Sequence, residues 1–279
     1  MSYISVVMSA FNAEKTISEA IESVLNQSFT DFEIIIVDAG STDNTRAIIC
    51  SNDDKRIRIT ENNGDYIQSL NFAIKSSVGK YIARMDANDI MHIDQLKLQY
   101  SIMEDFPEIT ICSSWDTVFG EKMSSRIYDQ KLLGLIELPL IQLLLDDVKI
   151  NPVYTIRKSL FDKNNLCYEN YTYSEDYKLW AEAAKLDGSF YIDSQPLVFR
   201  RMSDVKISST REVEQIQSIS KIKKENVFFL CNKYLETYPA LITLYNSYYE
   251  LLEQNLISEN DIFKIFHTLF MKNKDTFKN

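Results

Sequence analysis

The chain has 279 residues, 45% of them apolar and 25% charged. That is enough for one large domain or a domain with an appendage, and it is ordinary for a soluble globular protein. No apolar run approaches the roughly 20 residues needed to span a bilayer, no basic and apolar leader follows Met1, and a net charge of −10 argues against a nucleic-acid partner.

Taken in chain order, residues 3–10 read as a first strand. Asn12 is an expected N-cap for a helix in which Ile17, Ala20, Ile21, Val24 and Leu25 recur at helical spacing. Residues 31–38 form a second strand, 42–50 a helix, 56–60 a strand, 65–76 a helix with Leu70, Ala73 and Ile74 inward, and 80–85 a strand. This alternation predicts an α/β fold with a mostly parallel, doubly wound sheet flanked by helices. Beyond Asp89 the pattern loosens. A helix is expected over 93–106, strands over 109–114 and 117–119, a short helix over 138–145, a helix over 174–186 and a last strand over 197–201. From about Arg211 the pattern is helical and rich in aromatics, which divides the chain into a domain over 1–210 and a helical C-terminal subdomain over 211–279. Cys50, Cys112, Cys167 and Cys231 have no C-x-x-C spacing and read as buried free thiols of a reducing compartment. His92 and His267 are too few for a histidine-based zinc site.

Two acidic clusters follow apolar runs: Val37-Asp38-Ala39-Gly40-Ser41-Thr42-Asp43 after Glu33-Ile34-Ile35-Ile36, and Met85-Asp86-Ala87-Asn88-Asp89 after Lys80-Tyr81-Ile82-Ala83-Arg84. Such runs suggest strands buried on both faces, and ligands of parallel sheets sit outside the strands' carboxyl ends. The clusters therefore predict a polar pocket suited to a nucleotide and a divalent cation. A cation matters because residues 1–220 carry a net −11, whereas 221–279 carry +1. Like charges ~4 Å apart repel by about 1–4 kcal/mol at effective dielectrics of 80 to 20.

Several ordered motifs resemble family 2 inverting glycosyltransferases. They are Ile4-Ser5-Val6-Val7-Met8-Ser9-Ala10-Phe11-Asn12, Ser23-Val24-Leu25-Asn26-Gln27-Ser28-Phe29, Phe32 to Asp38, Asn62-Asn63-Gly64 with Leu70-Asn71, Gly79 to Asp89, and Tyr173-Ser174-Glu175-Asp176-Tyr177-Lys178-Leu179-Trp180. The flavour is similar to bacterial enzymes that build lipopolysaccharide, capsule and related surface glycans. The resemblance implies a GT-A nucleotide-sugar-binding core and a donor contacted by Ser9, Phe11, Asn12, Asp38, Asn63, Arg84, Asp86 and Arg201. It implies Mg²⁺ or Mn²⁺ held by Asp86, Asn88 and Asp89, hard oxygen ligands of the kind these ions favour. Asp176 is expected as the general base, with Glu175 beside it raising its pKa by like-charge repulsion.

Three positions depart from that pattern. Ala39 stands where the family usually has an Asp that bonds the uracil ring, Asn88 replaces a metal-motif Asp, and Ser203 replaces a His near the diphosphate. They bear on donor identity, metal dependence and turnover. Simpler roles compete with the catalytic ones: Asp38 as a turn former, Asp86 and Asp89 as caps of the next helix, Glu175 and Asp176 as partners of a helix dipole, and Tyr177 with Trp180 as core rather than sugar platform. The leading expectation is an inverting transferase that moves a hexose or N-acetylhexosamine from a nucleotide-diphosphate sugar, UDP-linked, to a glycan or lipid-linked acceptor. The alternative is a weak or inactive homologue serving as the binding subunit of an active transferase. A nucleotidyltransferase is disfavoured because no Gly-rich, basic phosphate loop lies near the N-terminus.

At the C-terminus, Ser258-Glu259-Asn260-Asp261 predicts a capping box. The helix it opens gathers Ile262, Phe263, Ile265, Phe266, Leu269 and Phe270 on one broad face, with Lys264, Lys272, Lys274 and Lys278 along and after it. Three destinations are open for that face: the protein's own core, a homodimer, or the inner leaflet of the membrane, where a cytoplasmic enzyme meets lipid-linked acceptors.

Overall fold

A computed structural model describes residues 3–61, 65–120, 123–128, 132–146, 148, 150, 153–202 and 209–277. In chain order the first elements are β1 (Ile4–Ala10), α1 (Ile17–Leu25), β2 (Phe32–Asp38), α2 (Thr45–Cys50), β3 (Ile57–Glu61), α3 (Tyr66–Ser76) and β4 (Tyr81–Asp86). Then come β5 (Ile90–Met91), α4 (Gln95–Asp105), β6 (Ile109–Gly120), β7 (Met123–Tyr128), β8 (Gly134–Ile136) and α5 (Pro139–Gln142), which runs into a 3₁₀ turn over Leu143–Leu145. The remainder is β9 (Thr155–Arg157), α6 (Lys158–Asn164), α7 (Glu175–Lys185), β10 (Ser189–Arg201), α8 (Ser209–Lys233), α9 (Ala240–Glu253) and α10 (Glu259–Lys272).

These elements form two compact units. The first comprises Met1–Glu137, Ile150–Asn170 and Gly188–Lys206; the second comprises Leu138–Lys149, Tyr171–Asp187 and Ile207–Asn279. Residues 138–149 and 171–187 thus pack with the C-terminal helices, although they precede residue 211 in the chain.

The first unit is built on a mixed sheet of order β3-β2-β1-β4-β9-β6-β10-β5, with β7 beside β6 and β8 beside β10. β1 pairs in parallel with β2 and β4, and β2 with β3. Every residue of β1 and β2 is buried, as expected of strands covered on both faces. Even-numbered β1 and β2 residues such as Val6, Met8, Ile34 and Ile36 pack with Ile17, Ala20, Ile21 and Val24 of α1 and with Leu96 and Met103 of α4. The other face is left to α3, which turns Leu70, Ala73 and Ile74 inward. The chain winds outward through β1, β2 and β3, then returns to place β4 on the other side of β1. That reversal is a topological switch point, where open α/β sheets bind ligands.

Some local expectations shift. Asn12 does not cap α1: it sits in the left-handed region (φ 49°) four residues short of Thr16, the residue that precedes the helix. The second helix starts at Thr45 rather than Thr42, because the Asp43 carboxylate accepts from the Thr45 amide (3.0 Å) and hydroxyl (2.5 Å). The two strands expected over 109–119 are one, β6, held across Trp115 and Asp116 by its parallel partner β10, with Asp116 accepting from Arg200 Nε at 2.7 Å. β10 absorbs Pro196 at a bulge. β9 fits antiparallel between β4 and β6. Its Arg157 donates to the carbonyls of Ile109, Met103 and Phe106, closing the end of α4. Of the cysteines, Cys112 and Cys231 are buried, but Cys50 and Cys167 are exposed.

In the second unit α7 is buried on most sides. Tyr177 and Trp180 are core residues with ring centroids 6.3 Å apart. Lys178, also buried, pairs with Glu182 (2.7 Å) and Glu225 (2.9 Å). Burial alone would lower its pKa, but those two carboxylates outweigh it and raise it. The capping box of α10 is present in both directions between Ser258 and Asp261. The apolar face it opens packs inside the unit: Ile262, Phe263, Phe266 and Phe270 are buried, and Phe270 meets Tyr234, Phe266 and Phe277. Among the described residues, no helix is long and apolar enough to cross a membrane.

Candidate active site

The site is built where β1, β2 and β4 end. Ladder register sets Ala10 opposite Asp38 and Ser9 opposite both Val37 and Asp86. Thr60 continues the second row beyond Val37. Paired residues share a sheet face, so Thr60, Val37, Ser9 and Asp86 line one face at the switch point. Ser9 Oγ and Thr60 Oγ1 are buried and have no hydrogen-bond partner among the described residues. Buried hydroxyls are normally satisfied, so two unpartnered ones in one row make this edge a candidate ligand site.

The loop after β1 is tied to the loop after β2. Asn12 Oδ1 accepts from the Thr42 amide (2.9 Å), and the Asn12 amide donates to Ser41 Oγ (3.0 Å). A left-handed conformation suits Asn better than most residues, and it aims both groups at the neighbouring loop. Asp38 is buried and accepts from the Ser41 amide at 3.0 Å. Gly40 between them adopts φ 84°, which a residue with a Cβ adopts only at a cost. Asp38 therefore shapes the turn, as its simpler reading requires. Phe11, next to Asn12 in the loop after β1, is 60% exposed. An aromatic ring held open at a sheet's carboxyl edge is a stacking surface.

On the β4 side, Arg84 is buried and ion-paired with Asp86 (Nη1 to Oδ2, 2.5 Å), and it also meets the hydroxyl of Tyr66. Tyr66 carries no local sequence signal as a site residue; only α3 packing on the sheet brings it there. Asp86 keeps part of its side chain open at 26%. Asp89 is buried and accepts from the Arg201 amide at 2.8 Å. Burial first, and the nearby Asp86 charge second, push its carboxyl up to about 7. Neither acid caps α4, which begins after Asp94. Arg201 donates from Nε to the Asn88 carbonyl (3.0 Å), lies 4.6 Å over the Phe119 ring and is ion-paired with Glu19. No three His, Cys, Asp or Glu side chains among the described residues gather as a metal cluster. Of the expected ligand set, Asp86 and the exposed Asn88 have side chains open to solvent, while Asp89 is committed to the backbone of β10.

Glu175 and Asp176 open α7 in the second unit, half-buried, after Ser174. Asn63 and Ser203 lie outside the described residues.

Comparison with known proteins assigns the chain. A model described as glycosyl transferase family 2 matches residues 5–168. An uncharacterized glycosyltransferase of Haemophilus influenzae is 34% identical over 242 residues, spanning 82% of this chain and 75% of that protein. A shorter match, 36% identical over 104 residues, covers 36% of this chain and 40% of Escherichia coli WfgD, named UDP-Glc:alpha-D-GlcNAc-diphosphoundecaprenol beta-1,3-glucosyltransferase. Among solved structures, S. aureus TarS 1-349 in complex with UDP-GlcNAc superposes with a TM-score of 0.64 at 18% identity, over 85% of this chain and 73% of that one. That likeness shows a shared GT-A fold. With more than half its length matched by the family model and most of its length matched by a bacterial relative, the chain belongs to glycosyl transferase family 2 and is a glycosyltransferase.

Proposed function

We propose that the chain transfers a hexose or N-acetylhexosamine, with inversion, from a UDP-sugar to a glycan or lipid-linked acceptor in bacterial surface polysaccharide or lipooligosaccharide synthesis. The observation that carries this reading is the row at the switch point, where the orphaned Ser9 hydroxyl and Asp86 lie beside the Asp38 turn and the exposed Phe11. Phe11 stacks on the base, while Asp38 and Ser9 supply polar contacts to the nucleoside. UDP as the nucleotide is supported by the TarS complex and by the name of WfgD, and a lipid-diphosphate acceptor by the latter alone.

A divalent cation fits this edge through Asp86, with Asn88 beside it and the donor's phosphates completing the set; Mg²⁺ commonly takes one or two carboxylates plus phosphate oxygens. Bound there, it would neutralise the departing diphosphate as a Lewis acid. Asp89 instead holds β10 in register, and Arg201 reaches a phosphate by giving up Glu19. Asn88→Asp then tightens Mn²⁺-dependent UDP binding, and calorimetry showing no metal effect in either form would remove the cation from this edge. Asp176 takes the acceptor hydroxyl's proton, with Glu175 adjacent.

Nucleotide sugars are made inside the cell, which puts the reaction at the inner face of the membrane. Since the buried face of α10 is spent on packing, membrane contact falls to the groove of about 490 Å³ lined by Leu244, Tyr248, Ile265, Leu269, Lys264 and Lys272. Reversing both lysine charges should then abolish sedimentation with anionic vesicles.

The deciding experiment is a panel of sugar nucleotides assayed for binding and hydrolysis with and without Mn²⁺. Selective UDP-sugar binding with slow hydrolysis supports the proposal. Preference for another nucleotide overturns the donor, and binding without any turnover favours the binding-subunit alternative.

A further inference from the structure

In the second unit, the residues just before Glu175 are arranged in a way that neither helix capping nor core packing explains. Tyr173 has φ 55°. A bulky side chain in the left-handed region is strained, and Gly or Asn would make the same turn at less cost. Its side chain is not buried in return: Tyr173 is 44% exposed.

The turn is clasped by α8. Gln215 Nε2 donates to the Tyr173 carbonyl at 2.9 Å, Ser174 Oγ donates to the Gln215 carbonyl at 3.4 Å, and the Arg211 guanidinium lies 5.4 Å from the Tyr173 ring centre. Arg211 and Gln215 are four residues apart and so share a face of α8. Residues 210–217 are otherwise exposed along their length. This stretch of α8 thus clasps the Tyr173 turn through its backbone and sets a guanidinium beside its half-exposed ring, three residues before Asp176.

We propose that Tyr173, positioned by Arg211 and Gln215, is the platform on which the acceptor's terminal sugar stacks. An aromatic ring offers its face to the apolar C–H face of a pyranose. The carboxylates of the following helical turn accept hydrogen bonds from the sugar's hydroxyls. This assignment rests on the reading of Asp176 as the base, and it adds what holds the attacking sugar. Strained backbone that persists only because neighbours over-determine it is a feature of ligand clamps.

The test uses the full-length protein, a UDP-sugar donor and a panel of octyl β-glycosides as acceptor probes. Tyr173→Ala should raise the glycoside KM by about three- to tenfold, with kcat, UDP binding and donor hydrolysis unchanged. Tyr173→Phe should keep the wild-type KM. Tyr173→Gly separates the roles: it relieves the backbone, so its melting temperature should not fall, yet it should lose the same glycoside affinity. Saturation-transfer NMR with the same glycosides reads binding without turnover. Glycoside affinity unaffected by Tyr173→Ala and Tyr173→Gly, or no glycoside binding that depends on this ring, overturns the proposal. Asp176→Asn should cut transfer by roughly 10²–10⁴-fold while the glycoside still binds; full transfer in that variant would sink the base assignment and leave the Tyr173 result readable by itself.

Discussion

The two ends of the parallel strands treat polar groups in opposite ways. At the amino end, the buried Glu33 carboxylate accepts from Ser5 Oγ (2.6 Å) and the Val78 amide (2.9 Å) and pairs with Arg58 (2.8 Å). Ser5 Oγ in turn accepts from the Gly79 amide at 2.9 Å. Gly79 approaches so closely that a Cβ there would lie 2.6 Å from the Ser5 nitrogen. β1, β2, β3 and the turn that leads into β4 are drawn into that knot. At the carboxyl end, Ser9 and Thr60 keep hydroxyls without partners among the described residues, Phe11 stands open, and Asp89 is held at a raised pKa. The polar groups of one end answer one another, and those at the other leave hydroxyls open among the described residues. The two ends differ in polar satisfaction although both carry buried acids.

The comparison predicts that groups at the closed end control stability and groups at functional positions control turnover. The largest effect belongs to Asp176→Asn, which keeps the shape and removes the proton acceptor. Transfer should fall by roughly 10²–10⁴-fold, with donor affinity and melting temperature little changed; loss of donor binding instead would remove Asp176 from the role.

Glu33→Gln should do the reverse, costing about 1–3 kcal/mol by leaving buried donors poorly matched, with UDP affinity per folded molecule unchanged in calorimetry. The wild type also has an acid limb from this residue. Burial works to raise the Glu33 pKa, but bonds from Ser5, Val78 and Arg58 outweigh it and hold it below 4.5. A carboxyl lowered on folding contributes stability above the unfolded value, and that contribution is lost as pH falls through the folded one. Denaturant unfolding across acidic pH should therefore show a steeper loss of stability in the wild type than in Glu33→Gln. Equal slopes would mean the knot is not electrostatic.

Ser9→Ala is the smallest and sharpest case. Removing an unpartnered hydroxyl should leave the melting temperature unchanged or slightly higher, yet weaken UDP binding by about three- to tenfold. Destabilisation without an effect on UDP would place Ser9 with the closed end and break the comparison.

Much of this was legible in the sequence because its causes are local. Continuous apolar runs announced β1, β2 and β4, the spacing of Ile17, Ala20, Ile21 and Val24 announced α1, and Ser258 with Asp261 announced the cap of α10. Asp38 and Asp86 could be placed on one sheet edge because alternating strands and helices connect with one hand. Elements set by distant partners were not legible. β9 is three residues long, too short for any period, and exists because β4 and β6 offer it a ladder on each side. Asn12 reads as a cap in the sequence because its actual partners, Ser41 and Thr42, lie about thirty residues onward.

By itself, then, the sequence determined the alternating core, the family and the sheet edge on which Asp38 and Asp86 stand, since periodicity and motif order are properties of neighbours along the chain. Tertiary structure alone decided that Asp89 serves β10 rather than standing open beside Asp86, that Arg201 lies against Phe119 with Glu19, and that the aromatic face of α10 closes on Tyr234 and Phe277. Each outcome depends on which remote groups reach a charge or an apolar face first. Burial and pairing are decided in space, where separation along the chain carries no information.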